Sequence, residues 1–124
     1  MTVLIDSDIL IEVSRGRDAD IISRWNDLAR SADAVLYSAV SAAELWAGAR
    51  PREYDALTNL FRALTCVPVE AEVGRLAGDY LKRYRKSHGV ELGDALIAAC
   101  ALESGARLWT RNRKHNPMKE LTFY

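Results

Sequence analysis

The order of apolar segments along this chain predicts an α/β fold with a parallel sheet that is covered on both faces by helices. Short apolar runs of strand character alternate with longer segments in which apolar residues recur at helical spacing. In such an alternation the strands pair in parallel and the helices pack over the sheet. The 124 residues contain no repeat and no linker, and 49% of them are hydrophobic and 27% charged, which predicts a single domain over residues 1–124.

The strand candidates are short and are separated by helical segments. The first, residues 3–5, leads directly into an acidic turn, and the third contains Pro68, which suits a strand end or an edge position. In chain order the candidates are residues 3–5, 34–37, 66–69 and 107–110, with residues 121–124 as a possible last strand.

The clearest helix follows Pro68, where apolar residues recur at i, i+3, i+4 and i+7 until Gly89 ends the pattern. The segment from Leu92 to Leu102 is apolar on nearly every side, which predicts a helix buried in the middle of the fold. Shorter helices are predicted to follow the acidic turn, to begin after Asp18, at Ser41 and near Pro51, and to end at glycines 16 and 48 in the first and third cases.

The formal net charge is zero, from 17 basic and 17 acidic residues, which excludes a uniformly cationic nucleic-acid-binding domain. The charges are divided unevenly, however. Residues 1–74 hold 7 basic and 12 acidic side chains, whereas residues 75–124 hold 10 basic and 5 acidic ones. We therefore expect an acidic site and a basic surface to be contributed by different parts of the chain.

The cysteines and the apolar runs indicate in which cellular compartment the protein is expected. Cys66 and Cys100 are far apart and belong to no Cys-x-x-Cys motif, so we expect neither a zinc site nor a disulfide, but two reduced thiols in the core. The longest apolar run, residues 95–102, is too short to cross a membrane, and no signal peptide is recognisable. We expect a soluble cytoplasmic protein without a membrane partner.

Three carboxylates are predicted near the carboxyl ends of strands, where parallel sheets place their ligand sites. Asp6 follows the first strand, Glu44 follows the second, and Asp94 begins the apolar helix. Each has a structural explanation on its own. Asp6 or Asp8 can cap a helix, and Ser41 and Glu44 match a capping box. Asp94 lies in the first turn of its predicted helix, where the helix dipole favours a carboxylate.

The combination of the three is harder to explain structurally. Asp94 lies on a helix predicted to be buried, where a carboxylate needs a partner, and no Lys or Arg is close in sequence to any of the three acids. A Mg²⁺ ion would supply that partner, since it prefers oxygen ligands and retains several waters. Such an ion suits hydrolysis of a phosphodiester.

Four motifs in order along the chain resemble those of PIN domains, and more narrowly of VapC toxins from toxin–antitoxin pairs. They are Leu4-Ile5-Asp6-Ser7-Asp8-Ile9-Leu10-Ile11, Ser38-Ala39-Val40-Ser41-Ala42-Ala43-Glu44-Leu45, Gly93-Asp94-Ala95-Leu96-Ile97-Ala98-Ala99 and Leu108-Trp109-Thr110-Arg111-Asn112-Arg113-Lys114-His115. The resemblance implies an α/β/α sandwich with a central, mainly parallel sheet of four to five strands. It further implies an endoribonuclease dependent on Mg²⁺ or Mn²⁺, a cognate antitoxin and a homodimer.

The same resemblance implies that Asp6, Glu44 and Asp94 bind the metal and that Asn112 completes the catalytic set. Asn112 stands where the family often has an aspartate, so it brings no charge, and the number of metal ions stays open. We expect Arg111, Arg113 and Lys114, which surround Asn112 in the sequence, to bind RNA phosphates. We expect His115 to lie in an exposed basic turn.

Three other classes of protein compete with this interpretation. A haloacid dehalogenase phosphatase is disfavoured by Leu10 and Ala98, and a receiver domain by Asp55, which falls in a predicted helix rather than at a strand end. A catalytically weak or inactive PIN-fold binding protein, acting through partner contacts, is supported only by Asn112. The sequence leaves open which RNA would be cut and which antitoxin would bind.

Overall fold

The computed structural model describes all residues from 1 to 124 and confirms the predicted parallel sheet. Its strands run in the spatial order β3-β2-β1-β4, and every neighbouring pair is parallel. The bounds are β1 Thr2–Ile5, β2 Ala34–Ser38, β3 Thr65–Val67 and β4 Arg107–Trp109.

Six α-helices connect the strands, two between β1 and β2, two between β2 and β3, and two between β3 and β4. They are α1 Ser7–Arg15, α2 Ala19–Ser31, α3 Ala39–Gly48, α4 Tyr54–Arg62, α5 Ala71–His88 and α6 Leu92–Glu103. As predicted, Gly16 and Gly89 end their helices, each with a φ of 66° that favours glycine. None of the helices combines the length and the apolar character that crossing a membrane requires.

The helices form one layer on each face of the sheet. Val3, Ile5 and Trp109 pack with apolar residues of α1 to α4, whereas Leu4 and Leu108 pack with those of α5 and α6. This alternation follows from the two-residue repeat of a strand. In the two central strands, Val3, Leu4 and Ile5 of β1 and Leu108 of β4 are fully buried. These two strands are therefore covered on both faces of the sheet, which is typical of parallel sheets.

The strand order reverses direction at β1, and this reversal positions the site. The chain reaches β2 and β3 on one side of β1 and then crosses over to β4 on the other side. Residues just after β1 and β4 are therefore adjacent, and the amide of Asp6 donates a 2.9 Å hydrogen bond to the carbonyl of Trp109. Crevices at such reversal points are where open α/β sheets bind ligands.

Three sequence-based expectations need correction. The possible last strand, residues 121–124, forms only a single parallel bridge, between Phe123 and Leu108. The predicted capping box of Ser41 and Glu44 is wrong, because α3 begins at Ala39 and its N-cap is Ser38, whose hydroxyl accepts a 3.1 Å hydrogen bond from the amide of Val40.

The third correction concerns the thiols. Cys100 is buried in α6 as expected, but Cys66 is exposed. Cys66 lies on β3, which is the edge strand of the sheet and is only partly covered. The apolar run around it therefore reflects strand formation rather than burial.

Candidate active site

An acidic recess of about 250 Å³ lies at the carboxyl edge of the sheet. It contains Asp6, Glu44, Asp94 and Asn112, the four residues predicted from the sequence, and no Lys or Arg side chain. The complete lining is Asp6, Ser7, Asp8, Ile11, Glu44, Asp94, Ile97 and Asn112. Three separate helices, α1, α3 and α6, thus direct acids into one recess.

Asp6 is held in place through both of its carboxylate oxygens. It is the N-cap of α1, and its Oδ1 accepts a 2.7 Å hydrogen bond from the amide of Ser7. Its Oδ2 accepts a 2.8 Å hydrogen bond from the hydroxyl of Thr110, which in turn accepts one of 2.9 Å from the amide of Asn112. The predicted capping role of Asp6 is therefore present together with its place in the recess.

A pair of serines connects α1 to α3 beside Glu44. The hydroxyl of Ser7 lies 2.9 Å from Glu44 Oε1 and 2.8 Å from the hydroxyl of Ser41. Ser7 and Ser41 are both buried, whereas the Glu44 side chain is largely exposed. Ser41 is thus a contact between two helices rather than a helix cap, and Ser7 orients the Glu44 carboxylate.

Asp94 and Asn112 meet on the other side of the recess. Asp94 lies in the first turn of α6, where its Oδ2 accepts a 3.0 Å hydrogen bond from the amide of Glu91. The Asn112 amide nitrogen lies 2.9 Å from His115 Nδ1, and that ring nitrogen is 4.0 Å from Asp94 Oδ2. The turn at Arg113–His115 is basic and its Arg113 and Lys114 are exposed, as expected, but the ring of His115 is only partly exposed, because it lies against these two residues.

The carboxylates in the recess lack neutralising side chains, and their pKa values reflect this. Burial, with added repulsion from Asp8 and Asp94, raises the pKa of Asp6 to about 6, although the hydrogen bonds from Thr110 and Ser7 act in the opposite direction. Burial also raises the pKa of Asp8, against the opposing effects of hydrogen bonds and of the Arg111 charge. The recess therefore favours a bound positive charge.

Asp8 is a member of the site that the sequence analysis treated only as a turn or cap residue. Its Oδ2 accepts a 3.0 Å hydrogen bond from the amide of Arg111, whereas its Oδ1 is buried and has no hydrogen-bond partner. A buried oxygen without a partner is uncommon and calls for an explanation such as an ion or a water. The sequence feature that could have indicated this role for Asp8 is the Asp-x-Asp spacing directly after β1.

The side chains suit a metal ion chemically but are not assembled around one point. No three Asp, Glu, His or Cys side chains of the chain form a group that could hold a metal ion. Asp6 and Asp94 each use one carboxylate oxygen to accept a backbone hydrogen bond at the start of their own helix. The donor set still fits Mg²⁺ or Mn²⁺, because it consists of oxygen atoms, one of which is an unpartnered Asp8 oxygen, and because Mg²⁺ uses few protein ligands.

The three cations predicted to bind RNA phosphates do not line the acidic recess. The Arg111 guanidinium lies 3.3 Å from Glu12 and 3.6 Å from Asp18, so its charge is already compensated. Arg113 stacks over the ring of Phe123, at 4.6 Å from its centroid. Lys114 is exposed and forms no ion pair.

A parallel sheet between two helical layers, with an acidic recess at the point where the strand order reverses, defines this chain as an α/β/α sandwich protein. The PIN domain profile matches residues 3–121, so the chain belongs to the PIN domain family. It is 40% identical over 119 residues to Ribonuclease VapC10 of Mycobacterium tuberculosis, an alignment that covers 95% of this chain and 88% of the relative.

Solved structures show the same fold at lower sequence identity. The structure of VapBC2 from Rickettsia felis, bound to a promoter DNA fragment, matches with a TM-score of 0.84 at 20% identity and covers 100% of this chain and 98% of its own. A toxin–antitoxin complex from Klebsiella pneumoniae matches with a TM-score of 0.71 at 19% identity, over 97% and 95% of the two chains. The predicted α/β/α sandwich is thereby confirmed.

Proposed function

We propose that this chain is an endoribonuclease that cleaves single-stranded or looped RNA with the help of Mg²⁺ or Mn²⁺. The observation that carries the proposal is the acidic recess, which Asp6, Glu44 and Asp94 line together and which no Lys or Arg side chain lines. The similarity to a protein named as a ribonuclease supports RNA as the substrate.

Asp6, Glu44 and Asp94 would hold the metal ion, with Asp8 close by and Asn112 as an uncharged neighbour. When bound, the ion would polarise the phosphodiester and lower the pKa of a water molecule. The chain itself orients the donors. Thr110 and the Ser7 amide hold the two oxygens of Asp6, and the Ser7 hydroxyl holds Glu44.

An unpaired strand is the substrate class that suits this recess. The site is open and lies at the edge of the sheet, where a flexible backbone can bend so that its phosphate reaches the acids. A regular RNA helix presents its phosphates on a stiff surface, and sequence-specific proteins mostly target unpaired RNA. Loops and single strands are therefore favoured over duplexes.

We further propose that the enzyme acts in the cytoplasm as the toxin of a toxin–antitoxin pair, as a homodimer that a cognate antitoxin inhibits. The fold likeness to a toxin–antitoxin complex supports this role. Co-purification of the toxin with the product of a neighbouring gene, followed by loss of cleavage, would test the partner. Sedimentation of the toxin alone would test the dimer.

The central experiment compares cleavage of cellular RNA by the wild type, Asp6→Asn and Asp94→Asn, with Mg²⁺, with Mn²⁺ and with chelator. We expect cleavage by the wild type only with metal, and a loss of activity in both variants. Asp55→Asn, at an exposed position on α4, is the matched control and should cleave normally. Cleavage that survives both substitutions or the chelator contradicts the mechanism, and a wild type that cleaves no RNA favours the inactive binding protein.

A further inference from the structure

A second polar recess, of about 440 Å³, lies where α1 and α3 end. Four arginines line it in two similar pairs, Arg15-Gly16-Arg17 at the end of α1 and Arg50-Pro51-Arg52 after α3. The rest of the lining consists of Gly48 and Glu53, and no hydrophobic residue takes part. We call this set of four arginines the arginine recess.

The charges of these arginines are not compensated within the protein. Arg30, Arg75, Arg83 and Arg111 all form ion pairs with carboxylates, but none of the four arginines in the recess does. The one acid of the lining, Glu53, uses its carboxylate to accept a 3.0 Å hydrogen bond from the backbone amide of Arg50. The arginine recess therefore holds about four exposed positive charges against one negative charge.

A small pocket lies between the arginine recess and the acidic recess. This pocket of about 70 Å³ shares Ile11 and Glu44 with the acidic recess, and Arg15, Gly48 and Glu53 with the arginine recess. The two recesses lie along α1, and the seven residue steps from Asp8 to Arg15 correspond to about 10 Å of helix. A few nucleotides of an extended strand can span that distance.

We propose that the arginine recess binds the backbone phosphates of the RNA a few nucleotides away from the cleavage point. This inference rests on the proposed ribonuclease function and assigns to four residues the phosphate contacts that the sequence analysis placed at Arg111, Arg113 and Lys114. Guanidinium groups form paired hydrogen bonds with phosphate oxygens and keep their charge at any physiological pH. The recess has no aromatic side chain for stacking on bases, so these contacts recognise the backbone and not the sequence.

The composition of the recess favours phosphates over a protein partner. A protein segment that docks stably inserts apolar or aromatic side chains into the centre of the interface. The arginine recess offers no apolar lining for such an anchor. Both α1 and α3 end here, and cations near helix ends are favoured for structural reasons as well. A purely structural role predicts no change in RNA binding, so the two explanations can be separated.

The test measures how RNA binding depends on salt. Every protein carries Asp6→Asn to prevent cleavage, and the probe is a labelled oligouridylate, which forms no secondary structure. Binding is measured without divalent cations at NaCl concentrations between about 50 and 200 mM, because the slope of log K against log salt is about −0.7 for each phosphate contacted by a single strand. We expect Arg15→Gln/Arg17→Gln and Arg50→Gln/Arg52→Gln each to flatten the slope by about 1.4, and the fourfold variant by about 2.8.

The matched control is Arg30→Gln/Arg75→Gln, which removes two exposed arginines that form ion pairs on α2 and α5. It should leave the slope unchanged although it alters the net charge equally. Thermal melting of each variant shows whether it folds. If the fourfold variant is unstable, the two double variants still test the proposal independently of each other. With Asp6 restored, the arginine variants should raise KM for long RNA and leave kcat unchanged.

An unchanged slope in both double variants overturns the proposal, as does an equal flattening in the control. Retained RNA binding together with lost inhibition by the antitoxin also overturns it, since the recess would then be a protein-docking site. Failure of the proposed function looks different. In that case the wild type cleaves no RNA, whatever the arginine variants do to the binding slopes.

Discussion

The carboxylate of Asp6 combines a structural and a functional role at some cost in folding free energy. Its oxygens cap α1 and accept the Thr110 hydrogen bond, which stabilise its ionised form. Burial and the neighbouring Asp8 have the opposite and larger effect, which raises the pKa to about 6. At neutral pH and without a bound cation, ionised Asp6 is therefore less stable in the folded protein than in the unfolded chain, which lowers the free energy of unfolding.

We expect Asp6→Asn to stabilise the protein while abolishing activity. The folded-state pKa of about 6 exceeds the unfolded value, so the wild type loses stability as the pH rises from about 4 to above 6, on the order of 2 kcal/mol. Asn keeps an acceptor for the Ser7 amide and carries no charge. Urea unfolding in chelator should thus show a more stable variant near pH 7.5 and little difference near pH 4. A variant that is less stable at both pH values would contradict this prediction, and Asp55→Asn should show no such pH dependence.

Thr110 is expected to act as a positioning residue for Asp6. Its hydroxyl donates to Asp6 Oδ2 and lowers the pKa of that carboxyl, so its removal should raise the pKa further. If Asp6 acts ionised, Thr110→Val should move the acidic limb of the pH profile of kcat/KM to higher pH, whereas Thr110→Ser should restore it. A profile that is the same in Thr110→Val and the wild type would leave the hydroxyl with a structural role only.

At the scale of elements, the start of α3 determines where Glu44 lies. Ser38 ends β2 and caps α3, so the helix begins at the carboxyl edge of the sheet and carries Glu44 into the acidic recess. Ser41, which the capping-box interpretation placed at the start of the helix, lies inside α3, and its hydroxyl accepts a hydrogen bond from Ser7 of α1. One serine therefore begins the helix, and the other attaches it to its neighbour.

Replacing the cap should destabilise the fold measurably. We expect Ser38→Ala to lower the free energy of unfolding by about 1 kcal/mol, because the amide of Val40 loses its acceptor in a buried setting. Ser23→Ala, at an exposed position within α2, is the control and should change stability by less than about 0.5 kcal/mol. Equal effects of the two substitutions in urea unfolding would argue against the cap.

At the scale of the whole molecule, charge is distributed differently from its distribution along the sequence. Asp94 from the basic half of the chain completes the acidic recess, and four of the seven basic residues of the acidic half form the arginine recess. Of the basic residues near Asn112, Arg111 instead pairs with Glu12 and Asp18, and Arg113 stacks on Phe123. A negative and a positive recess thus lie side by side along α1.

Metal binding should stabilise the whole domain, because an ion that binds only the folded state shifts the unfolding equilibrium. At Mn²⁺ concentrations about 100-fold above the dissociation constant, the expected gain in unfolding free energy is about 2.7 kcal/mol. Melting curves with and without Mn²⁺ should show this gain in the wild type and in Asp55→Asn, and a much smaller gain in Asp6→Asn and Asp94→Asn. The same gain in all four proteins would show that Mn²⁺ binds elsewhere.

Most of the fold, and which carboxylates line the acidic recess, could be predicted from the sequence. Alternating apolar runs, Gly16 and Gly89 at helix ends, and Asp6 directly after β1 depend on residues close together along the chain, where periodicity and capping chemistry apply. The corrections concern the last strand, Ser41 and Cys66, and the ring of His115 is less exposed than its turn. For Ser41, Cys66 and His115 the surroundings come from distant segments, namely Ser7, the uncovered edge of β3, and Asp94.

The sequence by itself determined that the chain forms a parallel α/β domain and that carboxylates follow its strands. Only the tertiary structure decided that Asp8 belongs to the acidic recess with a buried, unpartnered oxygen, that Arg111 is already paired, and that two Arg-x-Arg segments meet beside Glu44. The physical reason is the sequence separation of the residues that interact. Helix and strand formation follow from interactions over a few residues, whereas burial, ion pairing and the convergence of charges depend on which distant segments the packed sheet and helices bring together.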